Sequence, residues 1–153
     1  LVKGGERVLD IGTGSGILAI AALKLGADSA EGVDIDPMCV RTAGENAARN
    51  GVADRFKVLV GDLSDKASGK YDIITANIVA DVIKGMAPLF PSFLKDNGIL
   101  ILSGIITERA DEVLDTVTAY DFAVLERREA SGWCAVKLQK LAGAGTCCDT
   151  LRK

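Results

Sequence analysis

The sequence predicts an α/β fold, a doubly wound, mainly parallel seven-stranded sheet that finishes in an antiparallel hairpin. Three observations carry that expectation. From Arg7 to Thr118, short runs rich in Val, Ile and Leu alternate with helix-forming runs, the pattern left by crossover units between parallel strands. The first β-type run passes through Gly12, Gly14 and Gly16 directly into Ile17-Leu18-Ala19-Ile20-Ala21-Ala22, which reads as strand, tight loop and buried helix. The last two β-type runs are joined by Ala130-Ser131-Gly132, a hairpin signal.

Taken in order, Leu1 to Glu6 is a lead-in with a Gly4-Gly5 turn, and Arg7 to Ile11 is the first strand. Helix A, about Ile17 to Leu25, is apolar on every side, so it is expected to lie buried against the sheet and to stop at Gly26. Strand two, Ala30 to Ile35, is followed by Asp36 as helix N-cap and Pro37 as first helical residue. Helix B, about Pro37 to Asn50, turns Val40, Ala43, Ala47 and Ala48 inward. Strand three is Phe56 to Val60, and a polar loop through Ser64, Lys66, Ser68 and Gly69 leads to strand four, Tyr71 to Ala76. Val79 to Leu94 has a helical pattern interrupted by Pro88 and Pro91, which predicts a break or two short helices. After an Asn97-Gly98 turn come strand five, Ile99 to Ser103, and helix E, about Glu108 to Thr118, capped by Thr107. Phe122 to Arg128 and Trp133 to Leu138 form the hairpin, and residues 140–153 read as a flexible tail.

At 153 residues, with 48% hydrophobic and 25% charged residues, the chain fits one soluble globular domain. A net charge of −3 with scattered Lys and Arg gives no footprint for direct nucleic-acid binding. No apolar run is long enough to span a bilayer, so the expected location is cytoplasmic and no membrane partner is expected. Four irregularly spaced cysteines and no histidine argue against a disulfide framework and a metal site, and remove every imidazole-based mechanism. The early glycine loop and the absence of an initial Met suggest a domain of something longer.

The polar residues with chemical potential fall at the carboxyl ends of successive strands, where open α/β sheets bind ligands. Asp10, Gly12, Thr13, Gly14 and Gly16 follow strand one, Asp34 and Ile35 strand two, Asp62 strand three and Asn77 strand four. The loop has neither the G-x-G-x-x-G spacing of dinucleotide sites nor the Gly-Lys-Ser/Thr ending of NTPase loops. A carboxylate at Asp10 would repel a pyrophosphate but would help hold a cationic or zwitterionic ligand, which favours S-adenosylmethionine over NAD. Asp34, closing strand two, is placed to accept ribose hydroxyls or to cap a helix, with Ile35 beside it as an apolar face for adenine. Asp62 is either a partner for the adenine amino group or a turn residue. Asn77 either orients an amine toward the methyl carbon, its acceptor facing the sulfonium, or caps the next helix. Such a displacement needs alignment more than acid or base, so missing histidine is no obstacle. Trp133 reads as a core residue, with contact to substrate as the alternative.

With the glycine loop, Gly32-Val33-Asp34-Ile35-Asp36-Pro37, Ala76-Asn77-Ile78-Val79-Ala80, Ile101-Leu102-Ser103-Gly104-Ile105 and the late Glu126-Arg127-Arg128-Glu129 and Gly132-Trp133 in place, residues 3–139 resemble the class I S-adenosylmethionine methyltransferases. More narrowly they resemble the PrmA-type methyltransferases of a large-subunit ribosomal protein, protein eleven. The resemblance implies the Rossmann-like methyltransferase fold over residues 1–139, S-adenosylmethionine held by Gly12, Asp34 and Asn77, and N-methylation of lysine or N-terminal amines on that ribosomal protein. It also implies an amino-terminal substrate-recognition domain and a Thr-rich cofactor segment, neither of which is in these residues. Two alternatives stay open: another substrate, small molecule or RNA, and a cofactor-binding module inactive as a fragment. Asn77 lacks the following Pro-Pro-aromatic of nucleobase amine methylators, which weighs against RNA. The oligomeric state is not legible.

Overall fold

The computed structural model of the chain describes residues 1–63, 67 and 69–143. Its centre is one seven-stranded sheet in the order β3-β2-β1-β4-β5-β7-β6. The strands are β1 Arg7–Ile11, β2 Ser29–Asp34, β3 Phe56–Val60, β4 Tyr71–Asn77, β5 Leu94–Ile106, β6 Phe122–Ala130 and β7 Trp133–Lys140. β1 to β5 pair in parallel, whereas β7 runs antiparallel to both β5 and β6. Strand order therefore reverses between β1 and β4, which opens a crevice at their carboxyl ends.

Helices cover both faces. On one side α1, Ile17–Lys24, and α2, Pro37–Arg49, pack on β1 to β3 around Val8, Ala43, Phe56 and Ile73. On the other, α3, Ala80–Met86, α4, Phe90–Phe93, and α5, Ala110–Thr118, cover β4, β5 and β7 around Ile74, Phe90, Leu102 and Val136. The interrupted helical pattern resolves into α3 and α4, two short helices separated at Pro88. Asp36 caps α2 as expected, its Oδ1 accepting from the Met38 N–H at 2.9 Å, with Pro37 at the first helical position. Ser131 and Gly132 both have positive φ, 52° and 80°, which a two-residue hairpin of matching twist requires.

Several local expectations are corrected. α1 is not buried all round: Ala19, Ile20, Ala22 and Leu23 face the sheet, while Ile17 and Leu25 are 68% and 71% exposed, because one flank alone meets a strand. Ala48 of α2 is likewise exposed. Strand two ends at Asp34, and Ile35 stands outside it. Asn97-Gly98 is not a turn before the strand but an irregularity inside the longer β5. Leu94 pairs with Tyr71, Asn97 takes φ 62°, and pairing resumes between Ile73 and Ile99. Thr107 starts a 3-10 turn, Thr107–Arg109, and no side chain caps α5. Lys140 does not begin a tail: it closes β7, buried, its Nζ donating to the Pro91 and Leu94 carbonyls at 2.9 and 3.0 Å. Residues 144–153 lie outside the described residues, as do Ser64, Lys66 and Ser68 of the polar loop. Among the described residues no helix is long and apolar enough to cross a membrane.

Candidate active site

The glycine loop leaves β1 through Gly12, Gly14 and Gly16, with φ of 66°, 55° and 82°, a left-handed path that side chains with a Cβ resist. It is sewn to its neighbours. The Gly12 and Thr13 N–H groups donate to the Val33 carbonyl at 2.8 and 3.1 Å, and the Gly14 N–H donates to Asp34 Oδ2 at 3.0 Å. Asp34 Oδ1 accepts from the Asp36 N–H at 3.0 Å, so one carboxylate fixes the loop and the end of β2 together. Each of its oxygens keeps a lone pair for a ligand.

Asp10 and the Thr13 side chain depart from the sequence reading. Asp10 is 1% exposed and does not face the crevice. Its Oδ2 accepts from Thr13 Oγ1 at 2.8 Å and its Oδ1 from Thr75 Oγ1 at 2.6 Å, so both groups are turned beneath the loop. Burial pushes the Asp10 carboxyl above its ordinary range, against the opposing pull of the Thr75 and Thr13 hydroxyls. The Asp10 carboxyl group thus braces the loop across β1 and β4 from beneath, away from the crevice.

Two cavities open along the crevice. The first, about 280 Å³, is lined by Gly12, Asp34, Ile35, Asp62, Ile78 and Met86 among others. Ile35 is 79% exposed at its edge, and Asp62 is carried there by the end of β3, where the Gly61 N–H donates to the Asp34 carbonyl at 2.9 Å. Apolar walls with carboxylates at the rim suit a ligand that combines a flat apolar ring with hydroxyl and amino donors, and they disfavour phosphates. The second, about 400 Å³, is lined by Asn77, Ile78, Val79, Ser103, Gly104 and Trp133. Asn77 ends β4 opposite Ser103, exposed. Gly104, at φ 74°, lies so close that a Cβ there would sit 2.7 Å from Asn77 Oδ1 and 3.0 Å from the Ile78 carbonyl oxygen. Trp133 is 55% exposed, not a core residue. The structure thus gathers Gly12, Asp34, Ile35 and Asp62 at one cavity and places Asn77 at the next.

The family model for ribosomal protein L11 methyltransferase, PrmA, matches residues 1–141. The chain belongs to this family. It is 47% identical over 135 residues to the ribosomal protein L11 methyltransferase of Pelotomaculum thermopropionicum, a match covering 88% of this chain and 44% of that protein. The Pasteurella multocida protein of the same name is 46% identical over 137 residues, covering 88% of this chain and 46% of that protein. The chain thus spans less than half the length of these curated relatives. A crystal structure of ribosomal protein L11 methylase from Lactobacillus delbrueckii subsp. bulgaricus superposes with a TM-score of 0.87 at 34% identity, covering 91% of this chain and 72% of that one. An RNA methyltransferase from Salinibacter ruber, in complex with S-adenosyl-L-homocysteine, shares the fold at a TM-score of 0.72 and 20% identity over 90% of this chain and 82% of that one. The class I methyltransferase fold is therefore that of this member of the L11 methyltransferase family.

The sequence reading assigned no site role to Thr75, Ser103 or Gly104, and ranked substrate contact by Trp133 below core packing. Thr75 meets Asp10 across 65 positions, and no local pattern announces such a contact. Gly104 and Trp133 reach the crevice because the β5–β7 pairing, interrupted between Leu102 and Ile105, carries both to its edge. A glycine inside an apolar strand run was the one signal that could have flagged a close backbone approach there.

Proposed function

We propose that this domain binds S-adenosylmethionine in the crevice between β1 and β4, and that the protein containing it methylates amines, lysine or N-terminal, on ribosomal protein L11. The observation that carries the reading is Asp34. Its carboxylate is held by the Gly14 and Asp36 N–H groups at 3.0 Å each, at the strand-order reversal, with a lone pair on each oxygen left for a pair of ribose hydroxyls. Ile35 supplies an apolar face for adenine and Asp62 an acceptor for its amino group, both lining the same cavity.

The bound cofactor supplies a methyl group on a positively charged sulfur, and the protein's own contribution is alignment. Asn77 sits at the mouth of the second cavity, where its side-chain oxygen can accept from the incoming amine and aim the lone pair. Ile78, Val79 and Trp133 surround that amine with apolar surface, which disfavours its protonated form and lets it arrive neutral. The Trp133 ring also offers a face to a cation before the proton is lost to water. No histidine is needed, and the sequence has none. A substrate drawn from the ribosome puts the enzyme in the cytoplasm.

Calorimetry with S-adenosylmethionine, S-adenosylhomocysteine and NAD tests the cofactor. Binding of the first two and not of NAD is expected, and the reverse order overturns the reading. Mass spectrometry of purified L11, incubated with the full-length protein and S-adenosylmethionine, is expected to show added methyl groups on amines. An unmodified L11 alongside a methylated RNA or small molecule would replace the substrate.

A further inference from the structure

The two cavities of the crevice share one wall. Among the described residues Ile78 is the one that lines both, with Gly12 and Met86 in the first cavity and Asn77, Gly104 and Trp133 in the second. Its position is fixed from two directions. A Cβ at Gly12 would lie 2.6 Å from Ile78 Cγ2, so the branch methyl rests directly on the glycine loop. A Cβ at Gly104 would lie 3.2 Å from the Ile78 N and 3.0 Å from its carbonyl oxygen, so the backbone is packed against β5 as tightly. Ile78 also packs against the apolar core of the α3 to α5 face. A β-branched residue keeps few rotamers, and this one holds its branch over the loop at the junction of the chambers.

We propose that Ile78 is a partition: its Cγ2 branch, seated on Gly12, separates the adenosine cavity from the amine cavity and fixes the line along which acceptor and methyl donor meet. The proposal rests on the cofactor reading above. In chemical terms the branch keeps an adenosine ligand to the Asp34 side and leaves Trp133 and Asn77 to the amine, so it acts as a positioning residue. Size alone does not define the device. Val preserves the β-branch with less volume, whereas Leu keeps the volume of Ile and moves the branch one carbon outward. The two substitutions therefore pull apart what a bulky filler and a partition would do.

Trp133, the single tryptophan, lines the second cavity and gives it an optical probe. Adenosine is titrated into the wild type, Ile78→Val, Ile78→Leu and Ile78→Ala, with calorimetry for affinity and tryptophan emission for the second chamber, after thermal melts confirm folding. Expected are adenosine affinities within about threefold across the set. Emission is expected to be unmoved by adenosine in the wild type and Ile78→Val, and to shift in Ile78→Leu and Ile78→Ala, where the chambers merge. In the full-length enzyme the Leu variant should lose roughly tenfold in kcat with little change in cofactor KM, and the Val variant, which keeps the branch but trims the wall of the amine cavity, should lose measurably less than the Leu variant. Emission that responds alike in all four proteins, or in none, overturns the partition while leaving the cofactor site standing. Loss of adenosine affinity in Ile78→Leu overturns it too, by making Ile78 part of the adenosine floor. A wild type that binds no adenosine overturns both readings. Should Ile78→Ala not fold, the Val and Leu pair decides alone.

Discussion

Asn77 and Asp10 are both polar residues at the carboxyl ends of neighbouring strands, yet their environments give them opposite work. Asn77 is exposed at the mouth of the amine cavity. Its replacement by Ala should cost about 100-fold in kcat, the scale on which misalignment of reactants is felt, with cofactor affinity within threefold of wild type by calorimetry. Asp10 is buried, and desolvation raises its carboxyl above the usual range despite the two hydroxyls that donate to it. From about pH 4 upward the unfolded chain releases this proton while the folded chain still holds it, so the native state loses stability as pH rises through that window. Below about pH 4 both forms are protonated and the penalty vanishes. Asp10→Asn carries no such titration. The stability of wild type minus that of Asp10→Asn, from urea unfolding at a series of pH values, should therefore fall from pH 4 toward neutrality; a rise would contradict the assignment. Sequence position alone made Asp10 a ligand contact, since nothing local reveals that Thr13 and Thr75 enclose it.

At the level of elements, what a stretch of chain declares about itself was readable and what its neighbours impose on it was not. The α2 start was legible because Asp36 and Pro37 cap it from within four residues, and the β6–β7 hairpin because Ser131 and Gly132 set their own turn. Helix α1 was misjudged for the opposite reason. Its apolar composition says nothing about which flank meets the sheet, and Ile17 and Leu25 were left outside. The β5 strand shows how such tertiary demands reach function. At Gly104 the backbone adopts φ 74° in the interval where pairing with β7 lapses, and this admits Asn77 Oδ1 to within 2.7 Å of where a Cβ would stand. Gly104→Ala faces a double penalty, the left-handed backbone and that contact. The expected outcome is a drop of roughly 1 kcal/mol or more in stability by urea unfolding. Turnover should fall in parallel with Asn77→Ala while S-adenosylhomocysteine still binds at the Asp34 side, and an unchanged rate would mean that Asn77 tolerates displacement.

Across the whole molecule, the sheet separates a binding edge from a structural one. The glycine loop, Asp34 and Asn77 occupy the carboxyl ends of β1, β2 and β4, while a second group of polar contacts locks the far end of β5 and β7. There the buried Lys140 Nζ donates to the Pro91 and Leu94 carbonyls at 2.9 and 3.0 Å and lies 3.4 Å from Asp96 Oδ1. One ammonium thereby joins the last residue of β7 to α4 and the start of β5. Removing it with Lys140→Met leaves the buried Leu94 carbonyl and the partly buried Pro91 carbonyl without that donor, and hydrogen bonds to charged groups contribute about 1.5–3 kcal/mol each before relaxation. The same substitution leaves the crevice untouched, since none of its partners lines either cavity. Urea unfolding of Lys140→Met should therefore show a loss of about 2 kcal/mol, while calorimetry returns the wild-type affinity for S-adenosylhomocysteine. If affinity fell in step with stability, the two ends of the sheet would be coupled, and the carboxyl-end site would depend on the packing of the hairpin rather than on its own loop contacts.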